Sequence, residues 1–223
     1  RAAQAARDIL DEASFKRDGL VMAHGTGTPQ NRTSESAIFS TVAQALSVDD
    51  WRVSAIKSHT GHSLGAAAGD QMSALLGIWE SGWVPGIGSI DKLADDVVTD
   101  RLSFALRDVE TADCSYALVN SKGFGGNNAT ATVLSPEASL KLLQRRHSTG
   151  DVSQWQITNE VVEQSRRDIE TARLNGDWQP MYRFNDGVLS DDDIRVESGQ
   201  LVIGDLAIDT TERVVSDDWT LKD

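Results

Sequence analysis

The stretch 57-KSHTGHSLGAAAG-69 decides how this chain is read. A lysine stands five residues before a histidine, and the histidine opens a run of glycine and alanine too small to fill a core. A second stretch, 24-HGTGTPQNRTSE-35, sets another histidine among glycine and threonine and ends on Glu35, eleven positions later. Small residues let backbone and ligand approach closely. Two of only four histidines in the chain are held in such settings, which is the pattern of a site.

The surroundings of both stretches alternate helix and strand. Residues 1–16 read as a helix, with Ala2, Ala6, Ile9, Leu10 and Ala13 on one face. The apolar run 19-GLVMAHG-25 reads as a buried strand delivering His24 at its carboxyl end, and 34–47 as a second helix. The strand 52-RVSAIKS-58 carries Lys57 at its end, before a long Gly/Ala-rich helix over 62–82 that a neighbouring element can approach closely. Further strands are expected at 101–106, 115–121 and 129–134, with the glycine loop 123-GFGGNN-128 between the last two. This is the pattern of an α/β layered fold, helices packed on a mixed sheet with functional groups at strand carboxyl ends. The expected unit covers 1–138.

Beyond it, residues 139–223 read as an acidic α+β extension. Helices are expected over 138–147 and 157–174, a loop over 176–193, and a hairpin turning at Ser198-Gly199. Of the net charge of −13 for the 223 residues, this segment contributes −7 (17 acidic against 10 basic residues). So negative a chain is poorly suited to nucleic acid, whose phosphates it repels. No apolar run reaches the length of a membrane span, and residues 1–19 lack the apolar centre of a signal peptide. One cysteine allows no internal disulfide and suits a reducing, cytoplasmic setting. With no cluster of Cys and His, no metal site is expected.

From the residues alone, two histidines and a lysine at strand ends suit an electrophilic or acid/base site. Neutral imidazoles can each donate an N–H to an oxygen gaining negative charge. Lys57 can hold a carboxylate, Glu35 being the candidate. No G-x-S-x-G elbow supplies a serine nucleophile. Cys114 has no basic neighbour to lower its pKa and reads as a small hydrophobe.

Taken in order, 24-HGTGTP-29 with Glu35, 57-KSHTGHSLGAAAG-69 and 120-NSKGFGGNNA-129 resemble the C-terminal half of the β-ketoacyl-acyl carrier protein synthases, the condensing enzymes of the thiolase-like superfamily. The likeness runs over about residues 2–134. It implies that His24 and His62 are the histidine pair of a Cys-His-His triad, and that Lys57 and Glu35 form a supporting ion pair. Thr26 and Thr28 would contact the phosphopantetheine arm of acyl carrier protein, the substrate carrier. Phe124 would gate the glycine loop, with Gly123 and Gly125 beside it and its own N–H in an oxyanion hole. No covalently bound cofactor is implied. The resemblance implies 3-oxoacyl-carrier synthesis by decarboxylative condensation in fatty-acid synthesis. A polyketide-type ketosynthase, a non-condensing partner subunit and an enzyme that only decarboxylates are the alternatives.

The chain departs from the family pattern at Arg32, where aspartate is usual, at Lys122, where an aromatic residue usually precedes Gly123, and in 65-GAAAG-69. The 139–223 extension and the 85–97 stretch suggest a longer, divergent type. The nucleophilic cysteine belongs to an N-terminal half, expected to be a partner of this chain, and homodimers are the rule in the family. The opening strand of the second half, taken as central, is expected to be missing, leaving a gap in the sheet.

Overall fold

Short apolar runs alternating with helices assemble into one five-stranded sheet in the computed structural model, which describes residues 1–111, 113–177 and 187–211. Residues 1–146 form one compact unit, and a second begins at His147. The compositional boundary expected at 138/139 thus lies eight residues before this one.

The expected first helix is two: α1 (Ala2–Ile9) and α2 (Glu12–Arg17). Leu10 is extended, and the Asp11 carboxylate accepts from Ser14 N–H at 2.9 Å, capping a new helix where a single one was expected. Strand β1 (Gly19–Met22) leads to His24, and α3 (Pro29–Ala45) starts with its proline in the first helical turn, where the missing N–H costs nothing. Strand β2 (Trp51–Ser54) ends before Lys57, which opens the short helix α4 (Lys57–Thr60) rather than closing the strand. A 3-10 turn at Leu64–Ala66 precedes α5 (Ala67–Ser81). Next come β3 (Trp83–Val84), β4 (Leu102–Phe104), β5 (Val109–Glu110), β6 (Tyr116–Lys122), β7 (Asn128–Leu134) and α6 (Pro136–Arg146).

The strand order is β4-β2-β1-β6-β7, with β7 alone antiparallel. Strands β1 and β6 pair directly, Gly19 opposite Tyr116 through Met22 opposite Val119. Among the described residues the sheet is therefore continuous where a gap was expected: β1 is bonded on both sides. The edges are β4 and β7 instead.

Parallel strands buried on both faces read as continuous apolar runs, as 20-LVM-22 and 116-YALV-119 do. Alternation sends Leu20, Met22, Ala117 and Val119 to one face, where they pack with Leu75 and Ile78 of α5 and with Ile56 and Val84. Each of these side chains except Ala117 contributes about 1.5–3 kcal/mol by leaving water. On sequence β1 and β6 thus end side by side, and α5 lies across their ends' inner face. This brings the three motifs together.

In the second unit, α7 (Thr149–Leu174) is capped by Ser148, and β8 (Ile194–Glu197), β9 (Gln200–Ile203) and β10 (Leu206–Asp209) form an antiparallel meander. The expected hairpin at Ser198-Gly199 is its first turn. Residues 178–186 of the expected 176–193 loop lie outside the described residues.

Candidate active site

Two residues beyond β1, His24 is buried, and Glu35 of α3 lies against its backbone. The carboxylate collects four donors. Its Oε1 accepts from His24 N–H at 2.8 Å and Asn120 Nδ2 at 2.6 Å; its Oε2 accepts from Gly25 N–H at 3.0 Å and Asn31 Nδ2 at 3.0 Å. A buried carboxylate needs such partners. Here they come from the loop after β1, from α3 and from β6, so Glu35 pins three parts of the fold to one point.

The tight loop after His24 depends on glycine. Gly25 has φ +57°, and a Cβ placed on it would lie 2.7 Å from the Ala55 Cβ. Thr26 and Thr28 follow with their hydroxyls 3.3 Å apart, Thr28 exposed.

His62 meets His24 edge to face, ring centroids 5.1 Å apart at 79°. Its Nδ1 accepts from Leu64 N–H at 3.0 Å, so in the neutral ring the proton resides on Nε2. That nitrogen is thereby a donor before any ligand arrives. Nδ1 of His24 is buried and has no partner among the described residues. Burial pushes the His24 pKa down, the positive charge of Lys57 adds to this, and Glu35 opposes both. The ring is accordingly held neutral.

Lys57 departs from expectation. Its Nζ is buried and makes no hydrogen bond, so the expected Lys57–Glu35 ion pair is not a contact. The reason is saturation: two N–H donors already occupy each Glu35 oxygen. The lysine still feels Glu35 and Asp70 through space, while burial drives its pKa down.

The glycine loop leaves β6 anchored to α3, through Asn120 to Glu35 and through Lys122 Nζ to Ser34 Oγ at 2.8 Å. Lys122, a departure from the family pattern, thus bonds α3. Gly123 N–H donates to Asn127 O at 2.9 Å, and Gly125 and Gly126 adopt φ of +78° and +86°. Phe124 stands at the tip, 94% exposed. Arg32 forms a two-pronged ion pair with Asp96 at 2.7 and 2.9 Å and bonds Gly27 O, tying the 85–97 stretch to the histidine loop. A cavity of about 570 Å³ adjoins this stretch, lined by Phe39, Val53, Ile90 and Phe104 and also by Glu35 and Lys57.

Cys114 is pushed up to about 11 by burial, and its Sγ bonds Tyr116 O at 3.6 Å. A thiol so placed is inert. Among the described residues no group of His, Cys, Asp and Glu could hold a metal ion, and no helix is long and apolar enough to cross a membrane.

Sequence reading missed Asn31, Gln71 and Asn120. Asn31 stands one helical turn before Glu35, a spacing that puts the two on one face. Gln71 had no local signal, since its partners lie 48 or 49 residues away; Asn120 opens the third motif, but its bonds to Glu35 and Gln71 span 85 and 49 residues.

Residues 1–90 match the family described as beta-ketoacyl synthase, C-terminal domain. The chain is 37% identical over 204 residues to the beta-ketoacyl-[acyl-carrier-protein] synthase FabY of Pseudomonas aeruginosa, a match covering 91% of this chain and 32% of that protein. It is 36% identical over 133 residues to a 3-oxoacyl-[acyl-carrier-protein] synthase 2 of Staphylococcus aureus, covering 58% and 31%. The crystal structure of the P. aeruginosa ketosynthase FabY superposes with a TM-score of 0.79 at 35% identity, over 96% of this chain and 34% of that one. The chain spans about a third of the length of these relatives. With the three motifs gathered at the ends of β1 and β6, the chain is a β-ketoacyl synthase homologue bearing the thiolase-like C-terminal half of that family.

Proposed function

We propose that the chain supplies the histidine half of a 3-oxoacyl-[acyl carrier protein] synthase active in fatty-acid synthesis. The observation that carries this reading is the His24–His62 pair, with the His62 Nε2 proton fixed by Leu64 N–H and His24 anchored through its backbone on Glu35.

In this reading a cysteine of an N-terminal half first takes the acyl group from its carrier. Malonyl-carrier thioester then enters along the phosphopantetheine arm, contacted by Thr26 and Thr28. The bond from the malonyl C2 to its carboxylate breaks and releases carbon dioxide. The electron pair moves onto the thioester oxygen, where His24 and His62 donate N–H groups to the enolate. The C2 carbon attacks the acyl-cysteine carbonyl, the thiolate leaves, and 3-oxoacyl-carrier is formed. Lys57 contributes positive potential unspent on a contact, and Phe124 gates the glycine loop, with Gly123 and Gly125 shaping it. Burial keeps the His24 ring from taking up a second proton, and the Leu64 N–H on His62 Nδ1 leaves Nε2 of that ring as the donor.

Support for a docked N-terminal half comes from surfaces left open in this unit. Leu64, Leu76 and Phe124 are 67%, 56% and 94% exposed, β7 is a sheet edge, and nothing stands within 4 Å of a Cβ built on Gly65, Gly69 or Gly77. A homodimer in the cytoplasm completes the reading.

The test is condensation. The complete protein, given acyl- and malonyl-carrier thioesters, should yield 3-oxoacyl-carrier by intact-mass analysis of the carrier. Carrier recovered unextended, with the protein itself unacylated, would point to a non-condensing partner subunit instead. Carbon dioxide released without extension would point to a decarboxylase.

A further inference from the structure

Gln71 of α5 is fully buried, and no charge explains its place. Its Nε2 lies 2.9 Å from Met22 O, 2.7 Å from Ala23 O and 3.0 Å from Asn120 O. Its Oε1 is buried with no partner. A buried acceptor left open has a cost, so the amide is held for what its nitrogen does. The nitrogen binds the two carbonyls immediately before His24 and the carbonyl of the residue whose side chain bonds Glu35.

These contacts close a ring. From Gln71 the path runs to Ala23 O, across the peptide to His24 N–H, into Glu35 Oε1, out to Asn120 Nδ2, and from Asn120 O back to Gln71. Thr130 Oγ1 donates to Asn120 Oδ1 at 2.7 Å and so fixes which way that amide faces. The peptide before His24 is thus gripped at its carbonyl by α5 and at its N–H by α3, with β6 bridging the two grips. His62 precedes α5, on the far side of the 3-10 turn Leu64–Ala66 that leads into it.

We propose that Gln71 and Asn120 are positioning residues that set the His24 ring against His62. The proposal rests on the function stated above, but it concerns the ring's placement, which can be read without turnover. Neither residue touches substrate; each acts through the His24 backbone.

The test uses the complete synthase with Gln71→Met, which keeps the volume and removes the donors, and Gln71→Glu, which must take up a proton before it can bond any of the three carbonyls. Misplacing a reacting group by about 1 Å costs on the order of 100-fold. Gln71→Met should therefore lower kcat for malonyl-carrier decarboxylation roughly 10- to 100-fold, with KM for the carrier thioester within about twofold of the parent. Gln71→Glu should gain a limb in its pH–rate profile, activity rising as pH falls and the carboxyl protonates. A purely structural role would not produce that limb. Independently of activity, the His24 imidazole resonances should move in Gln71→Met. Thr130→Val, a milder change that frees the Asn120 amide to turn, should reproduce the loss in kcat in smaller degree and keeps the test open if Gln71→Met fails to fold.

Unchanged kcat and unchanged His24 resonances in the folded variants overturn the proposal. A parent enzyme that neither condenses nor decarboxylates overturns the functional reading instead, and the resonances then still decide the positioning of His24.

Discussion

Replacing Glu35 by glutamine keeps the shape of the side chain and turns one acceptor oxygen into a donor. Each carboxylate oxygen serves one backbone N–H, which cannot turn, and one asparagine amide, which can. Asn120 is locked by Thr130, so the new amide nitrogen settles on the Oε2 side, where Asn31 can flip to meet it. Gly25 N–H is then left facing a donor. One orphaned N–H costs about 1–3 kcal/mol, and weakening the other three bonds from charged to neutral adds roughly 2 kcal/mol. The expected loss is about 3–5 kcal/mol, equivalent to roughly 10 °C in Tm for a protein of this size. Urea unfolding of the complete protein, followed by tryptophan fluorescence, measures it as a lower midpoint at constant slope. Glu12→Gln is the comparison: its partner Lys16 is on the exposed face of α2, and the midpoint should stay where it was. A Glu35→Gln midpoint indistinguishable from the parent's would refute the claim that this carboxylate organises the site.

Further outcomes follow from the same geometry. Gly25→Ala must place a side chain at positive φ and against Ala55, costing about 2–4 kcal/mol from both sources, and should cut condensation sharply; steady-state kinetics beside a thermal melt separates the two effects. His24 is held neutral by burial, so its folded pKa lies below the unfolded value. The unfolded chain therefore binds more protons just below about pH 6.5, and this group's contribution is lost as pH falls through the folded pKa. Unfolding free energy measured from pH 7 to 5 should decline less steeply in His24→Leu than in the parent. Arg32→Asp sets a carboxylate against Asp96, and hydrogen exchange should rise in the 85–98 stretch while remaining unchanged in β1 and β6.

What the sequence made legible was local. His24, Lys57 and His62 stand in motifs whose small residues mark them within a dozen positions, and the buried parallel strands announce themselves as unbroken apolar runs. The break between α1 and α2 was hidden because Leu10 continues the apolar face even as Asp11 caps a new helix. Lys57 could be assigned to the site but not to its contacts, because Glu35 had been claimed by donors 4, 10, 11 and 85 residues away. Gln71 looked like an ordinary helix residue, and Asn120, although it opens the third motif, gave no sign of its partners. Their role arises only when β1 and β6 are adjacent and α5 lies over both, a pairing no local window contains. Arg32 stood out as a departure, yet its partner Asp96 is 64 residues on.

The most direct test of the account separates the two halves of the reaction. In the complete protein, His24→Ala and His62→Ala should each abolish carbon dioxide release from malonyl-carrier while still accepting the acyl group as a covalent thioester, seen by intact mass. Loss of both steps together, or carbon dioxide release at the parent rate in either variant, would contradict the assignment of these histidines to the enolate.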